Sequence, residues 1–448
     1  MRRKVVSVLL ATVMVTSLFA GCGAKQDGTA ATETSATETA KTEEAKTSEE
    51  VITLKVFSNL PDRKNGQGLV EQKIIDDYMS ENTNVKIEVE ALDEEAYKTK
   101  FKAYSMEGMP DVVSIWGQPS FLDEVLDAGV LAELNEADYA DYKFAAGSLE
   151  GFKKDGKLYG LPRNTDVAGF YYNEKMFNDN GWKVPATYDE LLNLAKQIND
   201  AGMVPLAMDG GDGWPMAIYL TDILFKLVGE DYAKTAGDAI ANGDFSAPAL
   251  KEATEILKQT ADAGLFQKGY DSQDYGTAMN LFTNGQAAMF YMGSWEASMA
   301  LNQDIPEDIR TNIRVFMMPV IEGGKGTATD IAAWNGGGYA VSSKSEVKEE
   351  AIKFLNYMYQ LDKLSKYGWE NGVGMSAQDQ TAFMTGNETQ LQKQFMDTVN
   401  KATKLSGTTI NDRGPSAFKT SIESEIQSVS NGSISVDDFL SRIGASCK

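Results

Sequence analysis

Histidine is absent from all 448 residues. That removes Ser-His-Asp and Cys-His nucleophilic centres and histidine-bearing zinc sites together. Cysteine is nearly absent, with only Cys22 and Cys447. Positive charge is in deficit: 42 Lys and Arg stand against 65 Asp and Glu, a formal charge of −23. A surface of that sign argues against nucleic acid and against anionic lipid as partners. Beyond the first twenty residues no apolar run approaches the ~18 residues of a membrane span, so no second span is predicted. No catalytic motif stands out. "DGGDG" (209–213) is short of an EF-hand calcium loop, and no metal or cofactor is expected.

What the sequence does have begins at its first residues. Arg2, Arg3 and Lys4 precede "VVSVLLATVMVTSLFA", an apolar run of signal-peptide length. The junction "LFAGC" resembles the lipobox of bacterial lipoproteins, which implies cleavage after residue 21 and a diacylglycerol on Cys22. With Cys22 acylated, Cys447 has no partner for an intramolecular disulfide. Residues 22–50 are rich in Thr, Ala, Glu and Ser and hold no aromatic or large aliphatic side chain. Such a segment cannot bury enough apolar area to offset its ordering entropy, so it reads as a disordered tether. Removing residues 1–21 takes three cations and no acid, which moves the formal charge from −23 to −26. The expected location is the cell membrane, lipid-anchored on its extracytoplasmic face.

The body from Val51 to Lys448 is too long for one core of ordinary size, so two domains are expected. "VITLKVF" and "VKIEVEAL" alternate like strands, and "DVVSIW" reads as a buried one. Helical stretches separate them: Val70, Ile74 and Tyr78 recur every four residues, and "DEEAYKTKFKAYSMEG" follows the second strand. Strand, helix, strand, helix, strand predicts an α/β domain with a parallel sheet. The alternation restarts at "AGFYYN" (168–173). Thr187 with Glu190 forms a capping box, and Leu191, Leu194, Ala195 and Ile198 share one helical face. "VPLAM", "AAMFYM", "IRVFMMP" and "GGYAVSS" are further strands, and the remainder is mostly helical.

In open α/β sheets ligands bind beyond the carboxyl ends of the strands. Five of the six tryptophans fall in or beside predicted turns: Trp116, Trp214, Trp295, Trp334 and Trp369. Trp182, in "DNGWKVP", reads as a turn or packing residue. Indoles offer flat apolar platforms to sugar rings, whose hydroxyl rims need polar partners in fixed positions. Candidates for those partners are Asn59, Asn164, Asp166, Asn335 and Arg413.

"GLPRNTDVAGFYYNEKMFNDNGWKVPATYDELLNLAKQI", "FTNGQAAMFYMGSW", "GGGYAVSSKSEVKEEAIKFLNYM" and the lipobox together resemble the extracellular solute-binding proteins, family 1. These are the maltose-binding-protein-like carbohydrate-binding lipoproteins of bacterial ABC importers. The resemblance implies a two-lobed periplasmic-binding-protein-like α/β fold (type II), with a hinge crossed several times. Crossings are expected near 164–168, 288–293 and 336–339. The N-terminal lobe would then be 51–165 plus 292–337, and the C-terminal lobe 166–291 plus 338–448. The resemblance carries ligand contacts onto Trp116, Asp166, Trp214, Trp295, Trp334 and Asn335. It implies a monomer that encloses a carbohydrate without altering it and delivers it to membrane permease subunits. The number of indoles points to an oligosaccharide. Two rival readings are a polyamine binder, which would use the same tryptophans and carboxylates through cation–π contacts, and a cell-surface glycoside hydrolase.

Overall fold

The alternation in "ITLKVFS" turns Leu54 and Val56 inward and Lys55 outward, and this stretch is strand β1 (Ile52–Ser58) of the computed structural model, which describes residues 51–447. Cys22, the signal peptide and the tether lie outside the described residues. Helix α1 (Gly66–Glu81) buries Val70, Ile74 and Tyr78, the expected stripe. It leads to β2 (Val85–Ala91), parallel to β1 with Ile52 opposite Val85. Helix α2 (Glu94–Glu107) starts at Asp93, whose carboxylate accepts the Ala96 N–H at 3.1 Å as an N-cap. β3 (Val112–Trp116) flanks β1 on its other side, also parallel, and delivers the chain to α3 (Pro119–Asp127). The parallel α/β start expected from the sequence is therefore present.

After the short strand β4 (Leu161–Pro162) the chain leaves this sheet, and β5 (Thr165–Asn173) opens a second one. Helix α4 (Tyr188–Asp200) has the predicted capping box. Thr187 Oγ1 accepts the Glu190 N–H at 3.2 Å, and the Glu190 carboxylate accepts the Thr187 N–H at 3.4 Å. β6 (Val204–Ala207) precedes α5 (Trp214–Val228), every residue of which is buried. An all-round apolar helix belongs inside a domain, and α5 runs through the second core. Then come α6 (Tyr275–Thr283), β7 (Ala287–Gly293), β8 (Ile313–Phe316) and β9 (Ala333–Asn335). β10 (Gly337–Val341), α7 (Lys348–Met358) and α8 (Leu364–Glu370) return to the first core. α9 (Gln390–Lys401) and α10 (Ser416–Ser430) complete the second. The sheet orders are β2-β1-β3-β10-β4 and β8-β5-β7-β6, with β9 paired to β5. Among the described residues no helix is long and apolar enough to cross a membrane.

Two lobes are present, but their membership differs from the expected boundaries. Residues 292–335 belong to the second lobe: Met292, Ile313, Val315 and Trp334 pack in its core, and β8 runs antiparallel to β5. Residues 337–373 belong to the first: Tyr339, Val341, Phe354 and Leu355 pack there, and β10 lies between β3 and β4. The chain crosses between lobes at 162–165, at 335–337 and between α8 and α9. The expected crossing at 288–293 is instead the interior strand β7, bonded to β5 on one side and β6 on the other. A short apolar strand carries no mark of which sheet it will join, so periodicity found the strands and misassigned their lobes.

Candidate ligand-binding cleft

Seven of the ten predicted contact residues line one cleft of about 1270 Å³ between the lobes: Asn59, Trp116, Asn164, Asp166, Trp214, Trp295 and Trp334. The first lobe contributes Trp116 at the carboxyl end of β3. Tyr97 and Phe121 meet its edges at 5.7 and 5.1 Å between ring centres, and Lys98 Nζ lies 5.7 Å from its centroid. Lys98 is held by Glu94 at 2.6 Å and Glu95 at 2.9 Å. Burial works against the Lys98 ammonium, yet Glu94 and Glu95 lift its pKa above the ordinary lysine value. Asn59 follows β1; its N–H donates to Ser114 Oγ at 3.4 Å, while its Oδ1 is buried without a partner.

The second lobe supplies a continuous aromatic wall. Trp214 and Trp295 lie 5.9 Å apart, Trp295 and Trp334 6.3 Å, and Trp214 and Tyr275 6.1 Å. Each indole is placed by backbone. Trp214 opens α5 after Gly213, whose φ of 77° and whose approach to the Glu423 carbonyl both require glycine. Trp295 folds back over Gly293, where an added Cβ would stand 1.9 Å from the ring. Trp334 sits in β9 opposite Asp166. The Trp295 indole N–H donates to Tyr275 Oη at 3.0 Å, and the Tyr275 hydroxyl donates to Glu296. Burial raises the Glu296 pKa, and the Tyr275 bond opposes it.

At the crossing between the lobes, Asn164 Nδ2 donates to Asp166 Oδ1, and Arg163 Nε donates to Asn164 Oδ1 at 3.3 Å. Asp166 is 5% exposed. Burial pushes its carboxyl up to about 7, against the pull of Arg163 and the Asn164 bond. Its second oxygen has no hydrogen-bond partner among the described residues and faces Gly336, where a Cβ would come within 2.1 Å of it. Two further contacts join the lobes beside the cleft, and they are reciprocal. Ser120 of α3 donates to Asp412 Oδ1 at 2.6 Å, and Ser416 of α10 donates to Glu124 of α3. Burial would raise Asp412, but Lys419 beside it holds its pKa below the ordinary carboxylate value.

Three predicted contacts lie elsewhere. Trp369 is not in a loop: it is buried on α8, and its carbonyl accepts from Gln392 Nε2 at 2.9 Å. Arg413 donates to the Ser406 carbonyl at 2.9 Å, with its guanidinium 4.9 Å from the Tyr232 ring, so its charge is spent on structure. Asn335 offers only its backbone, accepting from Gln118 Nε2 at 2.8 Å, and its side chain does not line the cleft. Trp182 packs edge-on to Phe177, as expected. Sequence reasoning missed Tyr275, Glu296, Arg163, Lys98, Asp412 and Lys419. "DYGTAMNLF" was legible as a helix but not as a source of the wall. The residue adjoining Trp295 and the one before Asn164 were the nearest signals for Glu296 and Arg163.

A family description for the bacterial extracellular solute-binding proteins matches residues 64–361. The multiple sugar-binding protein of Streptococcus mutans serotype c is 29% identical over 325 residues, covering 70% of this chain and 73% of its own. The galactooligosaccharide-binding protein of Bacillus subtilis is 24% identical over 271 residues, covering 58% and 61%. Among solved structures, a protein from work on xylan utilization by the thermophilic Caldanaerobius polysaccharolyticus superposes with a TM-score of 0.79 at 25% identity, covering 88% of this chain and 99% of its own. A chitin oligosaccharide binding protein shares the fold with a TM-score of 0.77 at 23% identity, covering 88% and 98%. With the match extending over both lobes and the cleft between them, the chain belongs to the bacterial extracellular solute-binding protein family.

Proposed function

We propose that this protein is the carbohydrate-capturing component of an ABC importer, and that its ligand is an oligosaccharide. The observation that carries the reading is the wall of Trp214, Tyr275, Trp295 and Trp334 facing the Asn164–Asp166 pair in one interlobe cleft. Stacked indoles take the apolar faces of sugar rings, and carboxylates and amides take the hydroxyl rims. A cleft of about 1270 Å³ exceeds the volume of common small-ligand pockets, which suits several rings. The named sugars of the relatives support the same class. A ligand touching both lobes favours the closed form by its differential affinity, and the closed form is what the permease receives. A lipid on Cys22 and the tether after it would hold the protein near that permease at high effective concentration. Nothing in this scheme alters the sugar, so the protein acts as a binder and not as an enzyme.

The test is calorimetric titration with a ladder from mono- to pentasaccharide of xylo-, chito- and galacto-type sugars. Tight binding to a chain of two or more units is expected. Tightest binding to the single unit overturns the oligosaccharide reading, tight binding of spermidine alone overturns the sugar reading, and reducing ends released on long incubation identify an enzyme.

A further inference from the structure

We infer that the cleft is a charge filter, accepting uncharged oligosaccharides and rejecting those that carry a carboxylate, sulfate or phosphate on a ring seated against the aromatic wall. The inference rests on the carbohydrate reading above and adds the charge class of the sugar.

Four carboxyl groups are tied directly to that wall. Glu296 accepts the Tyr275 hydroxyl, and Asp212 Oδ2 accepts the Tyr275 N–H at 3.3 Å. Asp274 caps the helix that presents Tyr275, accepting the Thr277 N–H at 2.9 Å. Asp166 is strand-paired with Trp334. All four line the cleft. Among the described residues, none of the four has a Lys or Arg within ion-pair distance, although ion pairs are frequent elsewhere in the body. Behind Asp212, Asp209 is fully buried, with Oδ1 accepting the Asp212 N–H at 3.1 Å and Oδ2 unpartnered.

The cations that line the cleft are committed or distant from the wall. Lys98 is held by Glu94 and Glu95, and Lys419 by Asp412 and Glu423. Lys102 is exposed on α2. Arg163 is the exception, half-buried near Asp166. Its guanidinium donates to Asn164 and, at 3.3 Å, to Tyr339, whose own hydroxyl donates to Glu71 at 2.7 Å. Glu71 is already paired with Arg63 and Asp166 is beyond ion-pair distance, so Arg163 keeps its charge, but it sits at the crossing beside Asn164 with no contact to Asp212, Asp274 or Glu296. A further negative charge beside Asp212, Asp274 and Glu296 meets like charge with no cation in contact with those acids among the described residues. A neutral sugar meets none of this, because each hydroxyl can donate to an acceptor-only carboxylate. Rejection of the wrong class by uncompensated like charge is a recognised route to specificity.

The experiment uses the full mature chain and matched probes. The tightest neutral oligosaccharide of the ladder is compared with the same oligosaccharide bearing one uronic acid residue, by calorimetry at about 20 mM and about 500 mM salt. The expected result is at least tenfold weaker binding of the acidic probe at low salt. The gap should narrow at high salt and again in Asp212→Asn and Glu296→Gln, read as the ratio of the two affinities in each variant. Equal or tighter binding of the acidic probe overturns the inference while leaving the carbohydrate reading standing. An unchanged ratio in both variants overturns the assignment of the filter to these carboxylates. Failure of every neutral member to bind overturns the carbohydrate reading and the filter with it.

Discussion

Trp295 Nε1 donates to Tyr275 Oη at 3.0 Å, and the same phenol donates onward to Glu296. One hydroxyl therefore fixes both the plane of the central indole and the carboxylate beside it. Tyr275→Phe removes an acceptor and a donor at once from a half-buried site. It is expected to cost ~1–3 kcal/mol of stability, read by denaturant unfolding, and to weaken ligand binding severalfold. Trp295→Ala removes the platform itself and should weaken binding by about 2 kcal/mol or more, roughly thirtyfold, in the same calorimetric titration.

Gly336→Ala tests the crossing. An added Cβ would come within 2.1 Å of Asp166 Oδ2 and 2.4 Å of Asn164 Nδ2. Both side chains must move, so a loss of ~1–3 kcal/mol in stability and a clear loss of affinity are expected together. Wild-type affinity in the alanine variant would count against a contact role for the pair.

The pH dependence of stability follows from the buried acids. Asp166 is raised to about 7 and Asp222 to about 6, each chiefly by burial. A carboxyl whose pKa is raised in the folded state leaves the native protein binding more protons than the unfolded chain between the two values. Stability then falls as pH rises through that window. The unfolding midpoint should fall from about pH 5 to about pH 8, and Asp166→Asn should flatten the slope below about pH 7. A slope unchanged by the substitution would refute the assignment.

The reciprocal hydroxyl–carboxylate contacts between α3 and α10 can be cut without touching the aromatic wall. Ser120→Ala with Ser416→Ala removes both donors. At ~0.5–1.5 kcal/mol per bond, the unliganded protein should open, seen as a larger radius of gyration in solution scattering, and apparent affinity should fall up to about tenfold.

Trp369 and Arg413 separate packing from recognition. Trp369→Ala should cost ~3–5 kcal/mol of stability through the cavity it leaves on α8. Arg413→Gln should destabilise by losing its bond to Ser406 and its place over Tyr232. Affinity in Arg413→Gln should stay within about twofold of wild type, since neither residue lines the cleft.

These two residues also show where the sequence stopped being legible. Local rules were sufficient for Thr187 and Glu190, whose capping box depends on neighbours three residues apart. They were sufficient for the indoles at strand ends, because topology sends those ends to one crevice. Trp369 looked the same on paper, beside glycines, yet Gly368 lies within α8 and carries no turn. Arg413 looked like a loop cation, and only the fold brings Tyr232 beneath it. Lobe membership failed for the same reason: whether "IRVF" or "GGYAV" joins the first sheet or the second is decided by pairing across more than a hundred residues. The Tyr275–Glu296 bond joins two elements whose only sequence signal is composition.

At the crossing, the Gly336 N–H donates to the Asn164 carbonyl at 2.9 Å, two residues before Asp166 on one strand and next to Asn335 on the other. On the proposed reading, the side chains that face the sugar and the backbone about which the lobes would swing belong to the same few residues. A sugar hydroxyl seated on Asp166 would rest on the axle and not on the rim, where a small displacement at the centre becomes a wide sweep at the mouth. Substitutions there will alter how tightly the protein holds and how far it swings in one stroke, so grip and travel cannot be tuned apart at this position.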